Sequence, residues 1–155
     1  MGRFKHLRIR QVDSALVPFR EAREVSRPDQ GWIRAIRESL GMSLRQMAEK
    51  MGVSKTTAAA LERSEAADSV KIRSLRAVAD ALECDLVYAL VPRTSLEDTV
   101  RHRARLIAER TVGRVSETME LEEQGIPASE RDRQIEELEV RLWEEMPKEL
   151  WDEPL

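Results

Sequence analysis

Residues 43–65 read SLRQMAEKMGVSKTTAAALERSE, and this stretch restricts the fold more than any other part of the chain. It encodes two short helices joined by a tight turn. Ser43 is placed to cap the first helix, whose inward side is Leu44, Met47, Ala48 and Met51. Gly52 can take a positive φ in the turn without steric cost, and Val53 follows it. Ser54 caps the second helix, expected to run to about Glu62. Ala48 lies where the helices cross closely, so a larger side chain there would force them apart. Val53 and Leu61 plug the space between them, and Glu62 stands where an ion pair or hydrogen bond within the domain suits it.

The flanking sequence is also that of a helical chain. Arg, Glu, Ala and Leu dominate, while 6 glycines, 6 prolines and 4% aromatics leave little for a sheet protein. A helix is predicted over 4–26 with Ile9, Val12, Leu16 and Phe19 as its apolar stripe, and Pro18 marks a kink or a late start. Arg27-Pro28-Asp29 ends it. Gly31–Leu40 forms the next helix, with Trp32, Ile33, Ile36 and Leu40 near one face and Gly41 as its C-terminal cap. Ile72–Leu82 follows with a buried row of Leu75, Val78, Ala79 and Leu82.

Beyond Ser95, with Asp98 at the capping-box position, Leu96, Val100, Ala104, Ile107 and Thr111 share one face. Gly113 is a point of interruption before the helix continues to about Glu123. Gly125-Ile126-Pro127 breaks the pattern. Ser129 caps a last helix carrying Ile135, Leu138, Leu142 and Met146, which Pro147 stops before Trp151.

One run departs from helical spacing. Leu86-Val87-Tyr88-Ala89-Leu90-Val91 is rich in strand formers and closed by Pro92. A lone strand cannot satisfy its own backbone groups, and no second strand candidate exists in the chain. The economical partner is the same strand of a second subunit, which makes Leu86, Val87, Tyr88 and Leu90 dimerisation residues. The alternative is a buried extended connection. The expected architecture is therefore mainly α, with one short β-strand. Residues 1–28 form an N-terminal helical arm, 29–93 the central domain with its terminal strand, and 94–155 a C-terminal helical region with an acidic tail.

A helix that opens on Ser54-Lys55-Thr56-Thr57 exposes an N-terminus and hydrogen-bonding side chains, which is how a chain presents a helix end to the major groove of DNA. Residues 31–92 resemble the lambda-repressor-like, Xre-type helix-turn-helix domain, with the pattern S-x-x-x-M-A-x-x-x-G-V-S-x-x-x-x-x-x-L-E in place. Longer strings, GWIRAIRESLGMS at 31–43, ALERSEA at 60–66 and LRAVADALECDLVYALVPR at 75–93, resemble the family called mobile mystery protein A.

The wider class implies roles for individual residues. Lys55, Thr56, Thr57, Ala59 and Ala60 face the groove, and Ser54 points the helix end at phosphate. Ser43 and Arg45 sit near the DNA backbone, and Arg63 and Lys71 flank the unit as phosphate contacts. Leu44 stands where the class often has glutamine, Ala58 where it has a larger Ile or Val, and Ser64 where it often has glycine. The methyl groups of Ala59 and Ala60 can meet thymine methyls but donate no hydrogen bond. A module with so few polar readers binds weakly alone, so two half-sites of a palindromic operator are expected for a dimer.

Charge is unevenly spread. Residues 1–115 carry 22 Lys and Arg against 15 Asp and Glu, whereas 116–155 carry 4 against 14. A basic body with an acidic tail suits a chain that meets nucleic acid with one part and something else with the other; the plain alternative is a tail kept for solubility. Arg34, Arg37, Arg101, Arg103 and Arg105 are read as solvated surface charges or accessory phosphate contacts, with the last three also as ion-pair partners for the tail. Arg3, Lys5, Arg8 and Arg10 are a basic arm or plain surface charge. Trp32 is expected in the core. Trp143 and Trp151 are expected against a partner or against the chain's own domain.

Catalysis has little to work with. His6 and His102 are expected to be solvated and lie far from any metal-ligand spacing, and Cys84 reads as a small core residue. No nucleophile motif or phosphate-binding Gly loop is present, so no enzyme, cofactor or metal is expected. No 18-residue apolar run exists, and the charged N-terminal residues lack the apolar core of a signal peptide, so the cytoplasm is the expected compartment. Double-stranded DNA and a second copy are the expected partners.

The leading expectation is a dimeric repressor that regulates its own toxin-antitoxin-like operon. The alternative is an antitoxin that neutralises a Fic-domain partner through its C-terminal helices, because members of the resembled family are typically encoded beside a Fic-domain protein. Related inhibitory helices carry Ser/Thr-x-x-x-Glu followed by Gly or Asn. Here Ser116 to Glu120 is followed by Leu121 and Thr118 to Glu122 by Glu123, so neither completes that motif.

Overall fold

The computed structural model describes residues 2–121 and 127–152, with the side chains of 2–3 and 117–121 excepted. Seven α-helices carry the described chain: α1 (Gly2–Leu16), α2 (Trp32–Ser39), α3 (Leu44–Met51), α4 (Lys55–Ala66), α5 (Ile72–Ala81), α6 (Leu96–Leu121) and α7 (Ala128–Glu145). They sort into two compact units, Glu21–Ala89 and a discontinuous unit of Met1–Arg20 with Leu90–Leu155.

In the first unit α2–α5 enclose a core of Ile33, Met47, Ala48, Ala58, Val78 and Leu82. Ala48 and Ala58 are both buried, so α3 and α4 approach through methyl groups rather than branched side chains. Met51, Val53 and Leu61, partly buried, pack against this core. Trp32, expected in this core, is 43% exposed. Its neighbour Ile33 points inward instead, because the helix starts at Trp32 and only one of two adjacent residues can face the core.

The expected strand over 85–91 is absent: residues 84–92 have no regular structure, and among the described residues no β-strand is found. An extended run becomes a strand only when a neighbour takes up its N–H and C=O groups. No backbone hydrogen bond from 85–91 is made to another part of the described chain.

In the second unit α6 and α7 pack along each other and α1 lies against both. One core cluster joins Val100, Ala104 and Leu150 with Ile9, Leu142 and Trp143; another joins Ala108, Val112 and Ile135. Helix α6 runs unbroken through Gly113 for 26 residues. The expected helix over 4–26 stops at Leu16, and 3₁₀ turns at Val17–Phe19 and Glu21–Glu24 follow. Pro18 lies in the first of these turns, where its missing N–H costs nothing. Pro127, not Ser129, is the N-cap of α7. The break at Gly125-Ile126 and the pairs ending at Glu120 and Glu122 lie outside the described side chains.

Long-range polar contacts hold this unit. The Asp13 carboxylate accepts from the backbone N–H groups of Leu96 and Glu97 at 2.8 and 3.2 Å and so caps α6 from another helix. Lys5 Nζ donates to the carbonyls of Glu145 and Met146 at the C-terminal end of α7, where a cation also meets the negative helix pole. Arg103, buried, donates to the Leu150 carbonyl at 2.7 Å. His6 is not solvated as expected: its ring lies 4.3 Å from Trp143, over whose ring the Arg101 guanidinium also stands at 4.3 Å.

Candidate nucleic-acid interface

The α3–turn–α4 unit is fixed first by its caps. Ser43 Oγ accepts from Gln46 N–H while the Gln46 side chain accepts from Ser43 N–H, a complete capping box. Gly52 ends α3 at φ 66°, in the left-handed region that a residue with a Cβ occupies only under strain. Its N–H and that of Val53 then close on the carbonyls left open at the end of α3. Ser54 Oγ accepts from Thr57 N–H at 3.0 Å and is hydrogen-bonded to Thr57 Oγ1 at 2.8 Å.

Behind the unit, two buried glutamates of α4 tie it to α2. Glu62 binds Arg37 through Nε at 2.5 Å, and Arg37 Nη1 also donates to the Met42 carbonyl at 2.9 Å. The hydrogen bond to Glu62 holds the Arg37 guanidinium even more firmly protonated than usual. Arg37 is therefore a structural cation and not the solvated one its helix position suggested. Glu65 accepts from the N–H groups of Trp32 and Ile33 at 2.9 and 2.8 Å and caps α2 across the domain. Gly31 makes room for it: at φ 84° a Cβ there would stand 2.6 Å from Glu65 Oε2. Arg27 completes the corner, donating to the Glu65 carbonyl and to Asp68.

The residues assigned to DNA by sequence divide into three groups. Ser43, Ser54 and Thr57 are exposed, but each already makes a local capping hydrogen bond. Arg45 is exposed and paired with Glu49 at 2.6 Å, a surface pair weak enough for a phosphate to displace. Lys55, Thr56, Ala60, Arg63 and Lys71 are exposed, with Ala59 half-buried beside them. The outward face of α4 thus carries Thr56, Ala60 and Arg63 on successive turns, with Lys55 at the helix start.

Arg73 and Arg76 were missed by sequence reasoning. Both are exposed on α5, and they share with Lys55, Arg63 and Lys71 a side chain that enters no ion pair or hydrogen bond among the described residues. Their spacing of three, opposite the half-buried Leu75 and the buried Val78, was the available signal. Of the expected dimerisation residues, Leu86 is half-buried, whereas Val87, Tyr88 and Leu90 are exposed, Leu90 at 90%. Leu86, Val87 and Tyr88 line one side of an open groove of about 560 Å³ that Trp32, Ile36 and Leu75 line as well.

Among the described residues no three His, Cys, Asp or Glu side chains gather to hold a metal ion, and no helix is long and apolar enough to cross a membrane. No curated protein and no solved structure matches the chain. Residues 33–88 match the helix-turn-helix family, and this part of the chain is a helix-turn-helix domain of the Xre-like kind, the double-stranded-DNA-binding module of transcription regulators.

Proposed function

We propose that the protein is a sequence-specific repressor that binds a palindromic operator as a dimer, with the exposed face of α4 in the major groove. The observation that carries this reading is the concentration on that face of exposed side chains with no partner among the described residues: Lys55, Thr56 and Arg63 around two small alanines. Lys55 and Thr56 are the polar readers. Thr57 is tied to Ser54 and shapes the helix end. Arg63, Lys71, Arg73 and Arg76 supply phosphate contacts, which position the helix without reading sequence.

Dimerisation through Leu86, Val87, Tyr88 and Leu90 is supported by exposed apolar side chains on a stretch whose backbone groups have no partner elsewhere in the described chain. Selection of bound duplexes from a random pool tests both parts. The expected product is an inverted repeat with half-sites about one helical turn apart, and Val87→Asp with Tyr88→Asp weakens its binding while leaving a single half-site bound as before. Recovery of one asymmetric half-site by the unaltered chain contradicts the dimer.

Regulation of its own toxin-antitoxin-like operon, with a Fic-domain protein as partner, is the second reading. It is supported by the likeness of 31–43, 60–66 and 75–93 to the mobile mystery protein A family and by Trp151, 56% exposed near the acidic end. Ser116, where one of the incomplete inhibitory patterns starts, is buried on α6. A neighbouring reading frame with a Fic core, whose product co-purifies with the chain but not with Trp151→Ala, is the expected result.

A further inference from the structure

The discontinuous unit leaves two opposite charge patterns on its outside. On α1, Phe4 and Leu7 are 81% and 52% exposed, and Arg8, Arg10 and Gln11 are exposed beside them. A shallow hollow of about 290 Å³ lies among Phe4, Lys5, Leu7, Arg8 and Gln11. On α7, Glu136, Val140 and Glu144 stand on successive turns of the exposed face, with Val140 55% exposed between two carboxylates. Among the described residues Arg8, Arg10, Glu136 and Glu144 enter no ion pair or hydrogen bond, although most other charges on α6 and α7 do. Water is a poor cover for Phe4, and a phosphate backbone would gain nothing from Phe4 or Leu7.

We propose that the outward faces of α1 and α7 form a reciprocal docking surface for a second copy of this chain. Arg8 and Arg10 of one protomer lie against Glu136 and Glu144 of its partner, and Phe4 and Leu7 pack beside the partner's Val140. Both faces belong to one compact unit, and Lys5 and His6 fasten α1 to the end of α7, so the two patterns are presented in a fixed relation. A two-fold axis then makes each contact twice, as a self-complementary interface requires. This surface is separate from the 84–91 segment and does not depend on it.

Charge exchange in the full-length chain tests the proposal, with association read by sedimentation equilibrium and folding checked by circular dichroism. Arg8→Glu with Arg10→Glu, and separately Glu136→Arg with Glu144→Arg, each weaken self-association roughly tenfold or more, since every altered pair is lost twice and replaced by repulsion. An equimolar mixture of the two variants restores association, because each altered face then meets its complement. The same experiment in a Val87→Asp, Tyr88→Asp background gives the same pattern. Unchanged association of the single-sided variants overturns the proposal, and so does a loss that mixing does not repair. A fall in DNA affinity of Arg8→Glu/Arg10→Glu with association unchanged makes the α1 face a nucleic-acid contact and overturns it too.

Discussion

The two units of this chain solve the same problem, holding short helices together, by opposite means. In 21–89 the helices are capped mostly by their own neighbours in sequence, Ser43 with Gln46 and Ser54 with Thr57, around a core of small residues. In the discontinuous unit the caps and clamps arrive from far along the chain, Asp13 reaching α6 and Lys5 reaching the end of α7. Charge separates them as well. Residues 21–89 carry 11 Lys and Arg against 11 Asp and Glu, so the positive excess before residue 116 lies entirely in 1–20 and 90–115, with 11 against 4. The helix-turn-helix unit therefore does not attract DNA by net charge. It neutralises its cations selectively, half-burying Arg37 against Glu62, pairing Arg34 with Glu38 and leaving the side chains of Lys55, Arg63, Lys71, Arg73 and Arg76 without an ion pair among the described residues.

Arg37→Ala strikes one of the places, beside those of Glu65 and Arg27, where the first unit does rely on a distant contact. It leaves Glu62 buried without its partner and is expected to cost about 3–5 kcal/mol, read from urea unfolding followed by Trp32 fluorescence. A loss under 1 kcal/mol would mean that caps alone hold the unit. Leu150→Ala empties a fully buried position of the other unit. It should lower that unit's stability by about 2–4 kcal/mol, reported by Trp143, while DNA affinity changes less than twofold. A matching loss of DNA affinity would abolish the distinction between the units.

Ser54→Ala removes a local cap at a cost of about 1 kcal/mol, and it frees Thr57, so operator affinity falls further than stability does. Acid gives the smallest effect. Glu38, Glu83 and Glu130 are held below their ordinary value of 4.5 by hydrogen bonds from Arg34, Lys50 and Arg133 respectively. Their contribution is complete above that pH and is lost as pH falls through the lower folded-state values. Melting temperature is thus flat from pH 8 to 5 with respect to these groups and declines only below, in both units alike.

The same contrast explains what could be read from the sequence. The caps at 43 and 54, the positive-φ glycine at 52 and the structural role of Glu62 are written within 20 residues of one another, and the structure has each of them. Asp13, Lys5 and Arg103 act on residues 47 to 141 positions away, and no local pattern marks a surface-type charge as a helix cap for a distant partner. His6 failed for that reason, since its ring is covered by Trp143 from another helix. Arg37 and Arg73 show the limit within the first unit. Arg37 looks like a solvated charge in sequence, yet it is half-buried in an ion pair. Arg73, which sequence reasoning did not single out, has no side-chain ion pair among the described residues. The strand at 85–91 was read from composition, which records a preference for extended backbone but not whether a neighbour is there to pair with it.

The central claim is that α4 reads DNA while neighbouring cations only hold it there. Fluorescence anisotropy of the full-length chain on its selected operator and on random duplex, across a salt series, separates the two roles. Lys55→Ala should weaken operator binding by about 1–3 kcal/mol with little change on random duplex, whereas Arg73→Ala should weaken both equally and reduce the salt slope by about one phosphate contact. Equal losses on both duplexes for Lys55→Ala would contradict the claim.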